Sequence, residues 1–439
     1  MNKTLLNLAV ASACSVPVFV SAQSNVQIYG TINLDYDVVS ATGASAAGAL
    51  RPGQLGVTPT GITSSPRDRV SSNSSNIGFR GEENLGGGLR AIWQVESAAN
   101  FDNQATFGNN TANGSAVGGG FATRNTNIGL SGNWGTLFGG QWNTPYKDLN
   151  RAVDPFYLTG IAYVAGIIGT PGFGITTATA GNVGLSADGK TFANAGNASF
   201  TRRQGNSLQY WTPAFDGFKG RFVYSPNEGK TTNSAALNQV SPHLWGLSGE
   251  YENGPVYVAY GYEQHDDYFG LSAIAPAAQA VTVAAAGGGS SASSRDSGNK
   301  FVARYTTGPA RLGLVYERLK YDQTNSAAAA SAFKSYDRNS YALTTMYAIG
   351  PGTLRALYGS AQSGSCTLVG GGACIASGLG ARQYSLGYSY NFSKRTEMYA
   401  LYTRLANDPN ANYQFPVNGI AVAAGAASTG YALGVRHTF

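Results

Sequence analysis

STGYALGVRHTF, residues 428–439, is an alternating strand that ends on an aromatic ring. Tyr431, Leu433, Val435, His437 and Phe439 share one face. Gly430, Ala432, Gly434, Arg436 and Thr438 share the other, because side chains in a strand alternate with a period of two. An amphipathic strand of this kind calls for pairing on both of its edges, as in a closed barrel.

The other end of the chain reads as an export signal. Lys3 supplies a positive charge, Leu5 to Val20 a short apolar stretch, and Val20-Ser21-Ala22 a small-residue cleavage site before Gln23. This divides the chain into a signal peptide, 1–22, and one barrel domain, 23–439. Past residue 22 no stretch of about 18 apolar residues occurs, so no spanning helix is available. Only 12% of residues are charged, about half the usual share for a soluble globular chain. With 59 glycines and 26 tyrosines, the composition suits a membrane barrel better than a soluble enzyme.

From Val26 onward, alternating segments of about ten residues follow one another, the length a tilted strand needs to cross a bilayer. In Arg382–Phe392, for example, Leu386, Tyr388, Tyr390 and Phe392 oppose Gln383, Ser385, Ser389 and Asn391. Tight connections such as Asn84–Gly88, Gly132–Gly135 and Gly350–Gly352 alternate with long ones rich in glycine, alanine and serine. The long ones include Ser40–Ser75, Asn143–Arg202, Asp266–Gly298, Asp322–Asp337 and Gly364–Gly380. Short turns on one side and long loops on the other predict an all-β, transmembrane antiparallel barrel of about 16 strands. Lipid offers no hydrogen-bond partners, so an open sheet edge would cost several kcal/mol per amide. An arginine at mid-bilayer on the lipid face costs roughly 2–4 kcal/mol, so Arg80, Arg90, Arg221 and Arg304 are expected to face a water-filled lumen. Phe215, Phe218, Tyr257, Tyr390, Phe392 and Tyr399 suit an interfacial aromatic girdle.

Motifs for chemistry are weak. Gly184 to Thr191 matches the phosphate-cradling P-loop pattern, but it sits in a Gly/Ala/Thr/Asn loop with no strand before it, and the match is read as chance. His265-Asp266-Asp267 is the best local constellation for a cation at a loop rim, with a solvated strand end as the plainer reading. No metal site and no cofactor are expected. Cys366 and Cys374 flank a Gly370-Gly371-Gly372 run and are read as a loop disulfide rather than metal ligands. The net charge of +6 comes from single basic residues at strand spacing, 20 arginines among them, not from the patch that nucleic acid requires. An adhesin or structural barrel without useful conductance is the alternative reading, and a barrel hydrolase a distant third.

Five stretches taken together resemble the trimeric general porins of Gram-negative outer membranes, in particular their beta-proteobacterial branch. They are VQIYGTINLDYDV from Val26, SSNIGFRGEENLGGGLRAIWQVES from Ser74, RNTNIGLSGNWGTLFGGQWNTPY from Arg124, NSLQYWTPAFDGF from Asn206, and the closing GYALGVRHTF. The resemblance implies a sixteen-stranded barrel, a homotrimer, and passive diffusion of small hydrophilic solutes and ions. It also implies outer-membrane lipid and lipopolysaccharide as surroundings, and barrel-assembly machinery acting through the C-terminal strand and Phe439. In such proteins the third long loop folds inward, here Asn143–Arg202. By similarity, Asp148 and Asp154 form the acidic side of a constriction, and Arg80, Arg124 and Arg203 the basic side, with Arg90, Arg202, Lys147 and Arg151 as additions. The arginine excess implies mild anion preference. Where such porins usually carry an arginine, this chain has Phe138-Gly139-Gly140-Gln141. Arg124 shares the parity of Ile128 and Leu130, so it faces inward only if the strand end twists. The Gly/Ala-rich second half of the third loop, about Gly160 to Ala198, is expected outside the lumen.

Overall fold

The computed structural model describes residues 25–99, 101, 121–156, 160–173, 198–230, 240–275, 293–324 and 329–439. The signal segment 1–22 and the P-loop-like stretch 184–191 lie outside them. Among the described residues, eighteen strand segments form one antiparallel sheet. They are β1 (Asn25–Thr42), β2 (Ser64–Ser72), β3 (Asn76–Gly86), β4 (Leu89–Ala98), β5 (Thr126–Gly132), β6 (Gly135–Asn143), β7 (Arg203–Trp211), β8 (Phe218–Ser225), β9 (His243–Asn253), β10 (Val256–Asp266), β11 (Ser293–Thr307), β12 (Ala310–Thr324), β13 (Phe333–Ile349), β14 (Gly352–Ala361), β15 (Ser365–Leu368), β16 (Ala381–Asn391), β17 (Thr396–Asn407) and β18 (Ala427–Thr438). β2 and β3 both pair with β1, one above the other, and β14 and β15 both pair with β13. Each couple is therefore one interrupted strand, and the wall has sixteen. The sheet closes where β1 meets β18, with Asn33 opposite Arg436 and Asp35 opposite Gly434.

The register carries a single alternation around the whole wall. Ile28, Ile128, Leu208, Leu312, Leu343, Leu386 and Leu433 point outward and are exposed, while their strand neighbours Gln27, Asn127, Gln209, Arg311, Ala342, Ser385 and Ala432 point inward. Through the middle of the strands each pairing keeps the parity of the last, and the register shifts fall near strand ends, at Val39/Ala41, Asn84/Gly86, Gly140/Trp142 and Phe333/Ser335; a slip in between would turn a strand's polar row to lipid. That coherence fixes the interior contents.

Three expectations need correction. Ser64–Ser72 and Ser365–Leu368 are strand, although both fall in segments expected as loops, and β11 to β13 run well into their expected loops. These stretches are mostly polar, with isolated apolar side chains such as Val70 and Leu368 rather than an alternating apolar row. Tyr257 and Tyr399 do not belong to the girdle. They face inward, where the Tyr257 hydroxyl donates to Glu250 at 3.0 Å and the Tyr399 hydroxyl donates to Asn33 at 2.8 Å and Asp35 at 3.0 Å. Phe215, Phe218, Tyr390 and Phe392 are exposed, as a girdle requires. Finally, residues 160–173 lie inside the barrel: Ile161, Val164, Ile167, Ile168 and Phe173 are buried, and burying each such side chain is worth roughly 1.5–3 kcal/mol.

Candidate functional site

The inward loop starts at a helical turn, Pro145–Asp148, where the Thr144 hydroxyl accepts from the Lys147 amide at 3.4 Å. From there it runs across the inner face of β9 to β18. Glycines at inward positions of that wall leave slots for its side chains. A methyl group on Gly261 would come 2.7 Å from Leu149, on Gly313 2.9 Å from Val153, and on Gly387 2.9 Å from Phe156. On Gly430 it would overlap Ile161. The loop is seated in a track cut into the wall.

Charged wall residues then hold it. Arg304 and Arg311 donate to the Ala152 carbonyl, Arg355 donates to that of Pro155 at 3.2 Å, and the Thr344 hydroxyl donates to that of Val153 at 2.7 Å. Further along, Arg338 donates to the carbonyls of Ile167, at 3.1 Å, and Thr170. Glu317 is the central latch. It accepts from the Tyr146 hydroxyl at 2.8 Å and from the Gly169 amide at 2.8 Å, with Lys300 and Arg338 each at 3.7 Å. All four charged or phenolic groups are fully buried, so the cluster ties the first and second halves of the loop to one point on β12. The sequence reading missed this cluster; its signal is three polar rungs, Lys300, Glu317 and Arg338, on consecutive strands.

The expected constriction residues separate into two groups. Arg80 lies on the inner face of β3, donates to Gln27 at 2.9 Å and stacks over Tyr29 at 5.0 Å. Arg203 donates to Asn125 at 2.8 Å, and Arg90 sits near the short-turn rim against Glu82 at 3.1 Å. Arg124 precedes β5, whose first residue is Thr126, so strand parity does not govern it. It turns inward to Glu96 at 2.5 Å. Asp148 accepts from Asn143 at 2.9 Å and lies 3.6 Å from Arg221, which also meets Glu250 at 3.2 Å and stacks on Trp211. Arg151, on the same loop, is exposed.

Two expected residues do not line the path. Asp154 is turned into the loop, where it accepts from the Phe156 amide at 2.8 Å and the Val164 amide at 2.9 Å. Loss of water around it raises its carboxyl to about 7, against the pull of those two donors. Arg202 is enclosed, bonded to Gln204 and stacked on Tyr268 at 4.9 Å, with no surface left for a solute to meet. The His265-Asp266-Asp267 constellation also dissolves, because neighbours on a strand face opposite ways. His265 is buried against Glu263 and Phe200, while Asp266 faces outward to Arg295 and His243. No cluster of three or more metal-ligating side chains occurs among the described residues. Cys366 and Cys374 are joined, Sγ to Sγ 2.00 Å, and the bridge staples the loop after β15.

The described residues of the loop leave open the side of the lumen walled by the start of β1 and by β3 to β7. A cavity of about 560 Å³ there is lined by Gln27, Arg80, Gln94, Asn127, Phe138 and Trp211. Phe138 faces inward beside Trp142 and Trp211, an aromatic cluster next to Gly140, the position that lacks an arginine. Lys147 borders this side, half-buried. Loss of water, and next the Arg203 guanidinium, push its ammonium down to about 7, with Asp148 opposing. Its charge is therefore present below neutrality and lost above. Any anion preference is expected to weaken as pH rises through about 7, measured as the reversal potential on either side of neutrality, and Lys147→Met is expected to flatten that dependence.

Comparison with known proteins agrees with this architecture. A family model described as Gram-negative porin matches residues 9–411. The outer membrane porin protein 32 of Delftia acidovorans is 27% identical over 443 residues, covering 100% of both chains. An outer membrane porin protein of Bordetella pertussis is 27% identical over 470 residues, again covering 100% of both. Among solved structures, an anion-selective porin from Comamonas acidovorans superposes with a TM-score of 0.65 at 23% identity, over 95% of this chain and 100% of that one. A closed wall of sixteen strands, an inner face of polar rungs and a family match over most of the chain lead to one conclusion: this protein belongs to the Gram-negative porins and forms a water-filled diffusion channel in the bacterial outer membrane.

Proposed function

We propose that this general diffusion channel passes small hydrophilic solutes with a mild preference for anions, set along the open side of the lumen. One observation carries the reading. Glu82, Glu96, Asp148 and Glu250 each have an arginine within ion-pair distance, whereas Arg80 takes the neutral Gln27 as its hydrogen-bond partner. Asp148 and Glu250 share Arg221, so these four acids meet three arginines, and Arg80, Arg203 and Lys147 tip the balance to positive. Two unit charges 4 Å apart interact by ~4 kcal/mol at an effective dielectric of 20 and by ~1 in bulk water, and a narrow throat lies between these. Screening over about 8 Å leaves charges in the throat felt by a passing ion while the outer loops are not. The preference of the Comamonas porin for anions points the same way.

In this reading residues 1–22 direct export, the C-terminal strand ending in Phe439 engages the barrel-assembly machinery, and three copies assemble in a lipopolysaccharide-containing membrane. The test is the reversal potential of the purified protein in a planar bilayer under a salt gradient. An anion-side potential is expected, and clear cation selectivity of the wild type rejects the proposal. Arg80→Gln with Arg203→Gln is expected to weaken the preference; an unchanged potential would remove both from the constriction. Insertion in steps of three conductance units is the expected signature of a trimer.

A further inference from the structure

We propose that the cavity on the open side of the lumen is a binding subsite for flat aromatic carboxylates, whose ring packs against Trp142 and Trp211 while the carboxylate pairs with Arg80. This deepens the channel reading and rests on it, because a solute reaches these side chains only through a water-filled lumen.

The cavity, about 560 Å³, has the size of a small-molecule site, roughly 300–1,000 Å³. Two inward rows build its wall, Arg80–Gln94–Asn127–Gly140 and, one step nearer the short turns, Glu82–Ile92–Gly129–Phe138. The strands are about 4.8 Å apart, so the cation on β3 and the rings on β6 stand about 14 Å apart at the backbone. Gly140 keeps the floor beside the rings bare. Its φ is +144°, and a side chain there would run into the Thr126 carbonyl. An arginine at this position would fill the space that the ring of a solute takes here.

The apolar end is a built cluster. Phe138 is only 3% exposed, with Trp142 at 5.3 Å and Trp211 at 5.2 Å, both edge-on, and the two indoles are 6.0 Å from each other. Phe138 is thus the buried base, and the half-buried indoles give the cavity its aromatic surface. Trp211 donates its indole N–H to Gln209 at 3.1 Å and carries Arg221 over its ring at 4.8 Å. Among the described residues the Trp142 indole N–H has no hydrogen-bond partner. Passage of small hydrophilic solutes gains nothing from two wet indoles. A flat ring covers them and stacks offset or edge-on.

The polar end holds one ready cation. Arg80 is exposed, donates to Gln27 at 2.9 Å, lies over Tyr29 at 5.0 Å, and has no carboxylate partner among the described residues. Glu82 also lines the cavity, but Arg90 takes it at 3.1 Å. A guanidinium positioned by its neighbours suits a carboxylate, which it meets with paired hydrogen bonds. Inorganic anions satisfy only the arginine and neutral arenes only the indoles, so a ring bearing a carboxylate is the solute that answers both.

The test is bilayer recording of the purified full chain in potassium chloride, with benzoate, cyclohexanecarboxylate and benzamide added in turn. Benzoate is expected to reduce the current at millimolar concentration. Cyclohexanecarboxylate, equal in charge but not flat, is expected to need about fivefold more for half-block, and benzamide to leave the current unchanged. Trp142→Leu with Trp211→Leu is expected to bring the two acids within about twofold of each other. Arg80→Gln is expected to raise the half-blocking concentration of both about tenfold. Where the double tryptophan variant does not fold, the comparison of the two acids on the wild type decides alone. The proposal is overturned by absence of benzoate block, by equal block from the two acids on the wild type, or by unchanged benzoate block in Arg80→Gln. The chloride reversal potential, read in the same bilayer without benzoate, tests the channel's anion preference separately, so the two failures are told apart.

Discussion

Gly430→Leu is expected to raise single-channel conductance severalfold. Gly430 is an inward rung of β18, and any side chain there collides with Ile161 of the inward loop, with Phe415 and Val39 closing the remaining space. Overpacking of this kind costs about 1–3 kcal/mol. The barrel wall is held by continuous ladders on both sides, with β1 and β17. The loop is held only by side-chain contacts and scattered hydrogen bonds, so the strain falls on it. Bilayer recording makes the measurement, with Gly249→Leu as control because a side chain there meets nothing within 4 Å. Wild-type conductance in Gly430→Leu would show that the loop does not set the width of the path.

Glu317→Leu is expected to loosen the same loop by a different route. Removing this carboxylate leaves Lys300 and Arg338 as buried charges without their counter-ion, and the Tyr146 hydroxyl and Gly169 amide without their acceptor. Breaking a buried pair in this way costs about 3–5 kcal/mol. Relief comes if the loop leaves the wall and water enters. The expected readout is a noisy, flickering open current and earlier cleavage by protease within residues 143–202. A second variant, Glu317→Leu with Lys300→Met and Arg338→Met, removes the stranded charges and is expected to restore quieter current. Steady wild-type traces in the single variant would deny Glu317 its role as latch.

The wall was legible from sequence because hydrocarbon permits one arrangement of a strand. Ile128 and Leu130 against Asn127 and Gly129 decide their own directions. Above the membrane that rule lapses, and Ser64–Ser72, with Val70 as its one large apolar side chain, passes for loop. Inside, the rule is ambiguous. Val302, Val315, Ala342 and Leu401 are inward yet apolar because the loop covers them. Tyr257 and Tyr399, which face the lumen, therefore looked like girdle residues. Of the expected constriction, Arg80, Arg203 and Asp148 border the open side, and Arg124 enters because it lies off the strand. Asp154 and Arg202 are turned away by contacts that are distant in sequence. A readable trace of the docked loop did exist: Gly261, Gly298, Gly313, Gly359, Gly387 and Gly430 all fall at inward parity on the covered side, where an empty lumen would not require small residues.

The grip of Arg304, Arg311, Arg338 and Arg355 on main-chain oxygens has an evolutionary consequence. A clamp that holds carbonyls is blind to the side chains it holds. If Lys147, Asp148 and Arg151 border the path as proposed, amino-acid changes there alter the charge a solute meets without touching the carbonyls that keep the gatepost upright. A lineage can thus try new filters quickly while its scaffold stays as it was.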